Sequence, residues 1–377
     1  MLSPDQPATR LATRLAFLVA GFGYACWAPL VPFAQKRLGV DDGILGLLLL
    51  CIGAGSIAAM LVTGPLSSRY GSKPIIVVSG FGLLAILPFL PIVDTPIMLG
   101  LSLLVFGASL GSLDVAMNVH AVEVERASGK PLMSGFHGLF SVGAFAGAGL
   151  MTFLLSINVN AFLSTLLCSA LMVIAMLLAW PRLLTAVKAS DGPLFVLPKG
   201  FVLVLAGLAA ATFLVEGALL DWGALLIIGK GQVSEAQGGL GYMIFSIAMI
   251  IGRFSGDAIT ARLGDKRILF WGGIIAVTGF VFLLMGPNTL IAMSGFLLIG
   301  LGASNIVPVL FRRAGNQNAM PAALAVGAMT TMGYAGILAG PACVGFVAQA
   351  IGLASAFWIL AGLMTLVPLC ARMVTRA

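Results

Sequence analysis

The fold class this sequence predicts is an all-α polytopic membrane protein: twelve transmembrane helices arranged as two pseudo-symmetric six-helix bundles. Three observations carry the prediction. The first is composition. Mean hydropathy is +1.11, with 60% hydrophobic and 9% charged residues, where about a quarter of an ordinary globular domain is charged. Ionised groups are costly in hydrocarbon, and the 48 glycines suit helices that pack closely inside a membrane. The second is segmentation into twelve apolar runs. The third is a repeated turn. Thr63 to Ile76 reads TGPLSSRYGSKPII, and Gly256 to Leu269 reads GDAITARLGDKRIL, so Arg69, Gly71 and Lys73 match Arg262, Gly264 and Lys266.

A spanning helix needs roughly 20 apolar residues. The first six candidates run over about 12–33, 44–66, 74–92, 97–119, 132–156 and 160–180. The second six run over about 200–228, 237–259, 268–286, 289–311, 322–348 and 354–372. The expected domains are therefore an N-terminal bundle over 1–180, a cytoplasmic linker over 181–199 and a C-terminal bundle over 200–377. Residues 1–11 are polar and show no cleavage-site pattern, so the first run is expected to be a retained helix.

Loop cations set the orientation. One side of the predicted topology holds Arg10, Arg14, Arg69, Lys73, Arg126, Lys130, Arg182, Lys188, Lys199, Arg262, Lys266, Arg267, Arg312, Arg313, Arg372 and Arg376. The other holds Lys36, Arg37 and Lys230, while Arg253 falls within a span. This bias places both termini in the cytoplasm.

Several function classes are excluded. The net charge of +7 is scattered over short loops, which is not the single basic patch of a nucleic-acid partner. Cys26, Cys51, Cys168, Cys343 and Cys370 all lie in apolar runs without a Cys-x-x-Cys pair, so no metal, cofactor or disulfide is expected. There is no Walker loop, and the Gly-x-x-x-Gly matches fall within apolar helices. No enzyme signature remains.

Six-plus-six architecture with a basic turn between the second and third span of each half resembles the major facilitator superfamily, and the resemblance covers the whole chain. The family's loop motif stands here as Gly64-Pro65-Leu66-Ser67-Ser68-Arg69-Tyr70-Gly71-Ser72-Lys73. Ser68 replaces the Asp of that motif. In the second half Asp257 supplies a carboxylate ahead of Arg262, so Gly64, Arg69, Gly71, Lys73, Asp257, Arg262 and Gly264 are expected to form the gating turns. Gly107-Ala108-Ser109 matches Gly302-Ala303-Ser304, and Gly143 and Gly147 resemble Gly333 and Gly336. The phrases LDVAMNVHAVEVE, SGFHGLFSVGAF and EGALLDWGALL are similar to the YbjJ-type inner-membrane branch, which neighbours the fucose-permease-like sugar transporters. The resemblance implies a monomer in the inner membrane with protons and a small-molecule substrate as its partners.

Polar residues within spans are functional candidates by default. The fourth span carries Asp114, Asn118 and His120, with Asp114 and Asn118 on one helix face. His137 lies early in the fifth. Asp114 and His137 each sit about 9 Å from the cytoplasmic ends of their helices at the helical rise, so the pair is expected to meet and hold a proton. Glu216 in the seventh span has no Lys or Arg within a helical turn and is the leading candidate for proton coupling. Asp221 and Trp222 lie near the outer end, where Trp marks the interface.

Tyr24 and Trp27 in the first span, with Asn118, Asn305 and Tyr334, are expected to contact substrate. The reading that follows is a secondary active transporter moving a small polar, sugar-like solute by alternating access, with proton coupling. The alternatives are a proton-driven exporter of amphiphilic compounds and a membrane receptor that binds without moving its ligand.

Overall fold

The computed structural model describes residues 6–40, 42–185, 199–233 and 239–375. Most of the predicted linker, 186–198, lies outside the described residues, as do Lys188 and Arg376. Every regular element among the described residues is helical. In chain order these are α1 (Pro7–Cys26), α2 (Val31–Leu38), α3 (Asp42–Tyr70), α4 (Ser72–Ile86), α5 (Pro96–Ser128), α6 (Met133–Ser156) and α7 (Ala161–Ala179). After the connection come α8 (Phe201–Gly229), α9 (Leu240–Leu263), α10 (Asp265–Met285), α11 (Thr289–Ala303), α12 (Ile306–Asn316), α13 (Ala322–Ile351) and α14 (Leu353–Val374). Twelve helical stretches are long and apolar enough to cross a membrane, with α11 and α12 together making one of them.

The ends of these helices follow local chemistry. Thr95 caps α5 by accepting the Met98 N–H, with Pro96 at the first helical position. Asn160 does the same for α7 and Asn288 for α11, since a short side-chain oxygen satisfies an amide that has no partner within its helix. Large apolar side chains stand outward, among them Leu290 at 80% and Phe145 at 77% exposure. Water would penalise such a surface, and acyl chains do not.

Contacts divide the chain into two compact units. One comprises Met1–Gly129, Phe136–Leu197 and Met320–Ala328; the other comprises Lys130–Gly135, Pro198–Ala319 and Met329–Ala377. The start of α6 thus groups with the second unit and the start of α13 with the first.

The two units repeat one set of contacts at a fixed spacing of 193 residues. Gly71 and Gly264 each form a one-residue turn, at φ 79, ψ 165 and φ 77, ψ 158, a region open essentially to glycine alone. A Cβ on Gly107 would lie 2.0 Å from the Ile52 carbonyl oxygen, and one on Gly300 would lie 2.5 Å from that of Phe245. Both pairs keep the spacing of the turns. This corrects the register read from sequence: Gly107 matches Gly300, and Gly302 matches Ser109.

A similar correction applies to the fifth and eleventh spans. Gly143 and Gly147 on α6 meet the carbonyls of Leu18 and Phe22, whereas Gly336 and Gly340 on α13 meet those of Ala210 and Leu214. Gly143 therefore matches Gly336 and Gly147 matches Gly340. The partner carbonyls on α1 and α8 are 192 apart, a one-residue slip. Pattern matching on Gly-Ala pairs misses this, because the contact that selects each glycine is made by a helix distant in sequence.

The outer cations obey the same register. Arg37 donates from Nη1 to the Pro91 carbonyl and from Nη2 to that of Leu90. Lys230 donates from Nζ to the carbonyls of Leu283 and Leu284 at 2.8 Å each. Each cation caps the C-terminal end of the third membrane span of its half, after α4 in the first and at α10 in the second, where carbonyls lack helical partners and the dipole is negative. Two of the three cations on the side opposite the basic loops are thereby tied to helix ends. Burial pushes both below their usual ranges, with Asp94 opposing the shift at Arg37. Arg37→Gln and Lys230→Gln are each expected to cost about 1–2 kcal/mol, measured by unfolding in detergent. Unchanged stability in both would show that these carbonyls find other partners.

Candidate functional site

Glu216 on α8 is not a lone carboxylate. Its Oε1 lies 3.3 Å from Nη2 of Arg253 on α9, with side-chain exposures of 22% and 9% respectively. The cation that the seventh span lacks comes from the eighth. Both residues belong to the second unit. Removing one partner of a buried pair costs about 3–5 kcal/mol, so neither charge is incidental to this unit.

Beside the pair, the tenth span is broken. Pro308 has no N–H to give the carbonyl four residues back, at Ser304, and its ring crowds that carbonyl. The helix stops at Ala303 and restarts at Ile306, with Ser304 and Asn305 between. Asn305 donates from Nδ2 to the Gly252 carbonyl at 2.9 Å and to Ser304 Oγ at 3.0 Å. Its Oδ1 is buried and has no hydrogen-bond partner among the described residues. A Cβ on Gly256 would strike that oxygen at 1.7 Å, so Asn305 sits over the face of α9 that carries Gly252, Arg253 and Gly256.

In the first unit, the Asp114 carboxylate accepts from Asn118 Nδ2 at 3.2 Å, and the same nitrogen donates to the Asp114 carbonyl at 2.9 Å. Asn118 is fully buried. His137 lies against Phe17, ring centroids 5.1 Å apart and tilted by 65°. The expected meeting of Asp114 with His137 is not found among the described residues: equal depth on neighbouring helices fixes height, not the direction in which side chains point.

His120 is fully satisfied as a neutral imidazole. Its Nε2 accepts the Leu184 N–H at 3.0 Å, which places the ring proton on Nδ1, facing Thr13 Oγ1 at 3.1 Å. Thr13 in turn donates to the Thr9 carbonyl. The ring ties α5 to α1 and to the chain just after the sixth span, a packing role.

At the turns, the Arg69 guanidinium lies over the Tyr70 ring at 5.4 Å, while Arg262 is exposed. Asp257 accepts the backbone N–H groups of Ser134 at 3.0 Å and Gly135 at 2.8 Å, gripping the first turn of α6 as a charged cap. At the equivalent register Gly64 lies beside Ala323 and Gly327, a Cβ on Gly327 reaching Gly64 Cα at 3.1 Å. One half builds this contact from a carboxylate on amides, the other from glycine on glycine. Lys73 is half-buried. Asp257→Ala should cost about 1–3 kcal/mol of stability, with Asp257→Asn between it and wild type in thermal unfolding. Equal melting of all three would mean that the cap is dispensable.

Among the aromatic candidates, Tyr24 is 45% exposed and Trp27 only 4%. Tyr334 is half-buried on α13, and Trp222 packs on Gly345.

The Major Facilitator Superfamily profile matches residues 14–319. This chain belongs to that family. It is a secondary transporter and not an enzyme. It is 48% identical over 368 residues to an uncharacterized MFS-type transporter of Yersinia pestis, covering 97% of this chain and 96% of that one. It is 30% identical over 357 residues to the membrane protein MosC of Rhizobium meliloti, covering 94% and 87%. Among solved structures, the Escherichia coli fucose:proton symporter FucP superposes with a TM-score of 0.78 at 18% identity over the full length of both chains.

For a transporter of this family, the residue that sequence reasoning passed over is Arg253. It entered only as the cation left out of the loop count. Its position as the lone Lys or Arg of an apolar run, 37 residues from Glu216, was the available signal.

Proposed function

We propose that this transporter moves a small polar, sugar-like solute across the inner membrane by proton-coupled alternating access, with both termini cytoplasmic and Glu216 as the coupling carboxylate. The observation that carries the reading is the Glu216–Arg253 pair, a charged couple in a span where each ion is costly and where the repeat needs none. At the equivalent registers the first half has Tyr24 and Met60, neither a charged residue. Arg253 is the charged group facing Glu216 among the described residues. Protonation of Glu216 would loosen this contact and bias the unit between two arrangements.

Asn305 and Tyr334 in the second half, with Tyr24 in the first, remain the candidate solute contacts. The sequence phrases shared with the fucose-permease neighbourhood favour a sugar-like cargo over an amphiphile. Asp257 on the first turn of α6 is the proposed gate contact, made and broken in each cycle. Asp114 and His137 stay secondary candidates for proton binding.

The test is transport by the purified protein in proteoliposomes. An inward proton gradient should drive accumulation of a labelled sugar or sugar acid above the level of empty vesicles, with collapse of the gradient on adding an uncoupler. Movement of lipophilic cations alone would favour export of amphiphiles, and movement of nothing would favour a receptor.

A further inference from the structure

We infer that the second unit holds the phosphodiester headgroup of an anionic lipid in a basic cleft, formed where α10 begins and α12 and α14 end. The inference is independent of the solute and of the coupling step.

The cleft measures about 540 Å³, and its lining includes Leu263, Asp265, Lys266, Arg313, Arg372 and Thr375. All of these belong to the second unit. Asp265 is the one carboxylate of this lining, and it is already engaged. Its Oδ1 accepts from Arg312 Nη1 at 2.6 Å, and its Oδ2 lies 4.0 Å from Arg313 Nη1. Arg313 also donates from Nε to the Val374 carbonyl at 3.0 Å. These contacts tie α12 to the start of α10 and to the end of α14, which fixes the floor of the cleft. Lys266 on α10 and Arg372 on α14 are both exposed, and neither makes an ion pair among the described residues. One carboxylate against three arginines and a lysine leaves the cleft positive, a field that concentrates anions. The charge is particular to this unit. At the 193-residue register of the repeat, the first half has Ser72 for Asp265 and the neutral His120 for Arg313.

Cations alone would suit any soluble anion, but this cleft also borders an apolar surface. Phe270 stands one turn along α10 from Lys266, and Leu369 one turn before Arg372 on α14, so each pair shares a helix face. Phe270, Trp271, Leu369 and Met373 are all exposed, Leu369 to 75%. Water would penalise that surface, whereas acyl chains running down from a headgroup in the cleft would cover it. Further along, a Cβ on Gly273 would strike Pro368, so α10 and α14 are in direct contact there and the space between them closes. Trp271 supplies an aromatic of the kind found at headgroup level. Basic clefts between membrane helices recognise phosphate headgroups by this combination of charge and adjoining apolar surface. The planar fork of Arg372 suits two phosphate oxygens, and Lys266 adds a point charge.

The test titrates the purified full-length protein in detergent with phosphatidylglycerol, with phosphatidylcholine of the same acyl chains, and with inorganic phosphate. Binding is read by native mass spectrometry and stability by thermal unfolding. Phosphatidylglycerol should stay bound and raise the melting temperature, while phosphatidylcholine and inorganic phosphate should do neither. Lys266→Gln/Arg372→Gln should bind phosphatidylglycerol about thirtyfold more weakly, and each single variant about fivefold. Without lipid the double variant should melt with wild type, since neither side chain is held in an ion pair; the single variants carry the test if it does not. Lys199→Gln/Arg267→Gln removes the same charge from exposed positions outside the lining and should keep wild-type affinity. Equal binding of the two lipids, or equal loss in the two double variants, overturns the inference. Displacement of bound phosphatidylglycerol by millimolar phosphate also overturns it, and would make the cleft a site for soluble anions.

Discussion

Proteoliposomes carrying Glu216→Gln are expected to equilibrate solute without concentrating it. Wild-type protein moving one proton with each solute can sustain a gradient of about tenfold per pH unit. The glutamine variant should fall to a ratio near one. The substitution is isosteric, and its carbonyl oxygen can still accept from Arg253 Nη2, so the hydrogen bond between α8 and α9 survives, while loss of the charge beside Arg253 should lower thermal stability. What it removes is a group that changes charge. A carboxylate in this position is the protein's means of linking proton binding to the contact between two helices. Counterflow, which exchanges labelled for unlabelled solute without a gradient, should survive. Accumulation at wild-type levels would remove Glu216 from the coupling step, and loss of counterflow together with accumulation would make it a binding residue instead.

Gly107→Ala and Gly300→Ala are expected to be the most damaging of the small substitutions, each costing about 3 kcal/mol or more. The added carbon would lie 2.0 Å from the Ile52 carbonyl oxygen in one case and 2.5 Å from that of Phe245 in the other. A flexible side chain could turn aside, but a backbone carbonyl within a helix moves only with the helix. Overpacking that yields costs about 1–3 kcal/mol, and here there is little to yield. Gly149→Ala and Gly207→Ala are the controls, because nothing lies within 4 Å of a Cβ at either position. They should be neutral or gain up to about 1 kcal/mol, since alanine is the better helix former. Unfolding of the four variants in detergent decides the matter. Similar stability for Gly107→Ala and Gly207→Ala would show that the α3–α5 contact is looser than its geometry implies.

Much of this architecture could be read in advance because membrane spans announce themselves locally. An apolar run of sufficient length has few structures available when every backbone polar group must be satisfied inside hydrocarbon. The basic turns were legible for a similar reason: Gly71 and Gly264 occupy a backbone region closed to other residues, so the glycines and their spacing are fixed by the turn itself. The finer register was not legible. Gly107 and Gly302 share a Gly-Ala-Ser phrase, yet the carbonyls they approach belong to different neighbours. Asp114 and His137 have the same depth along their helices, but depth leaves the rotation of each helix open.

Sequence alone therefore determined the all-helical, twelve-span fold, because this depends on composition, length and local backbone chemistry, and its loop motifs resemble those of the transporter family to which the chain belongs. It also singled out Glu216 and Asn305, since polar groups in an apolar run stand out one at a time. Only the tertiary structure decided their company: Arg253 beside Glu216, the unsatisfied oxygen of Asn305 over Gly256, and Asp257 on the amides of Ser134 and Gly135. Each of these joins residues tens to more than a hundred positions apart, and such pairings are set by which faces of the helices meet. That choice is made by the close approach of glycine to backbone across many helices at once, and no single stretch of the chain contains it.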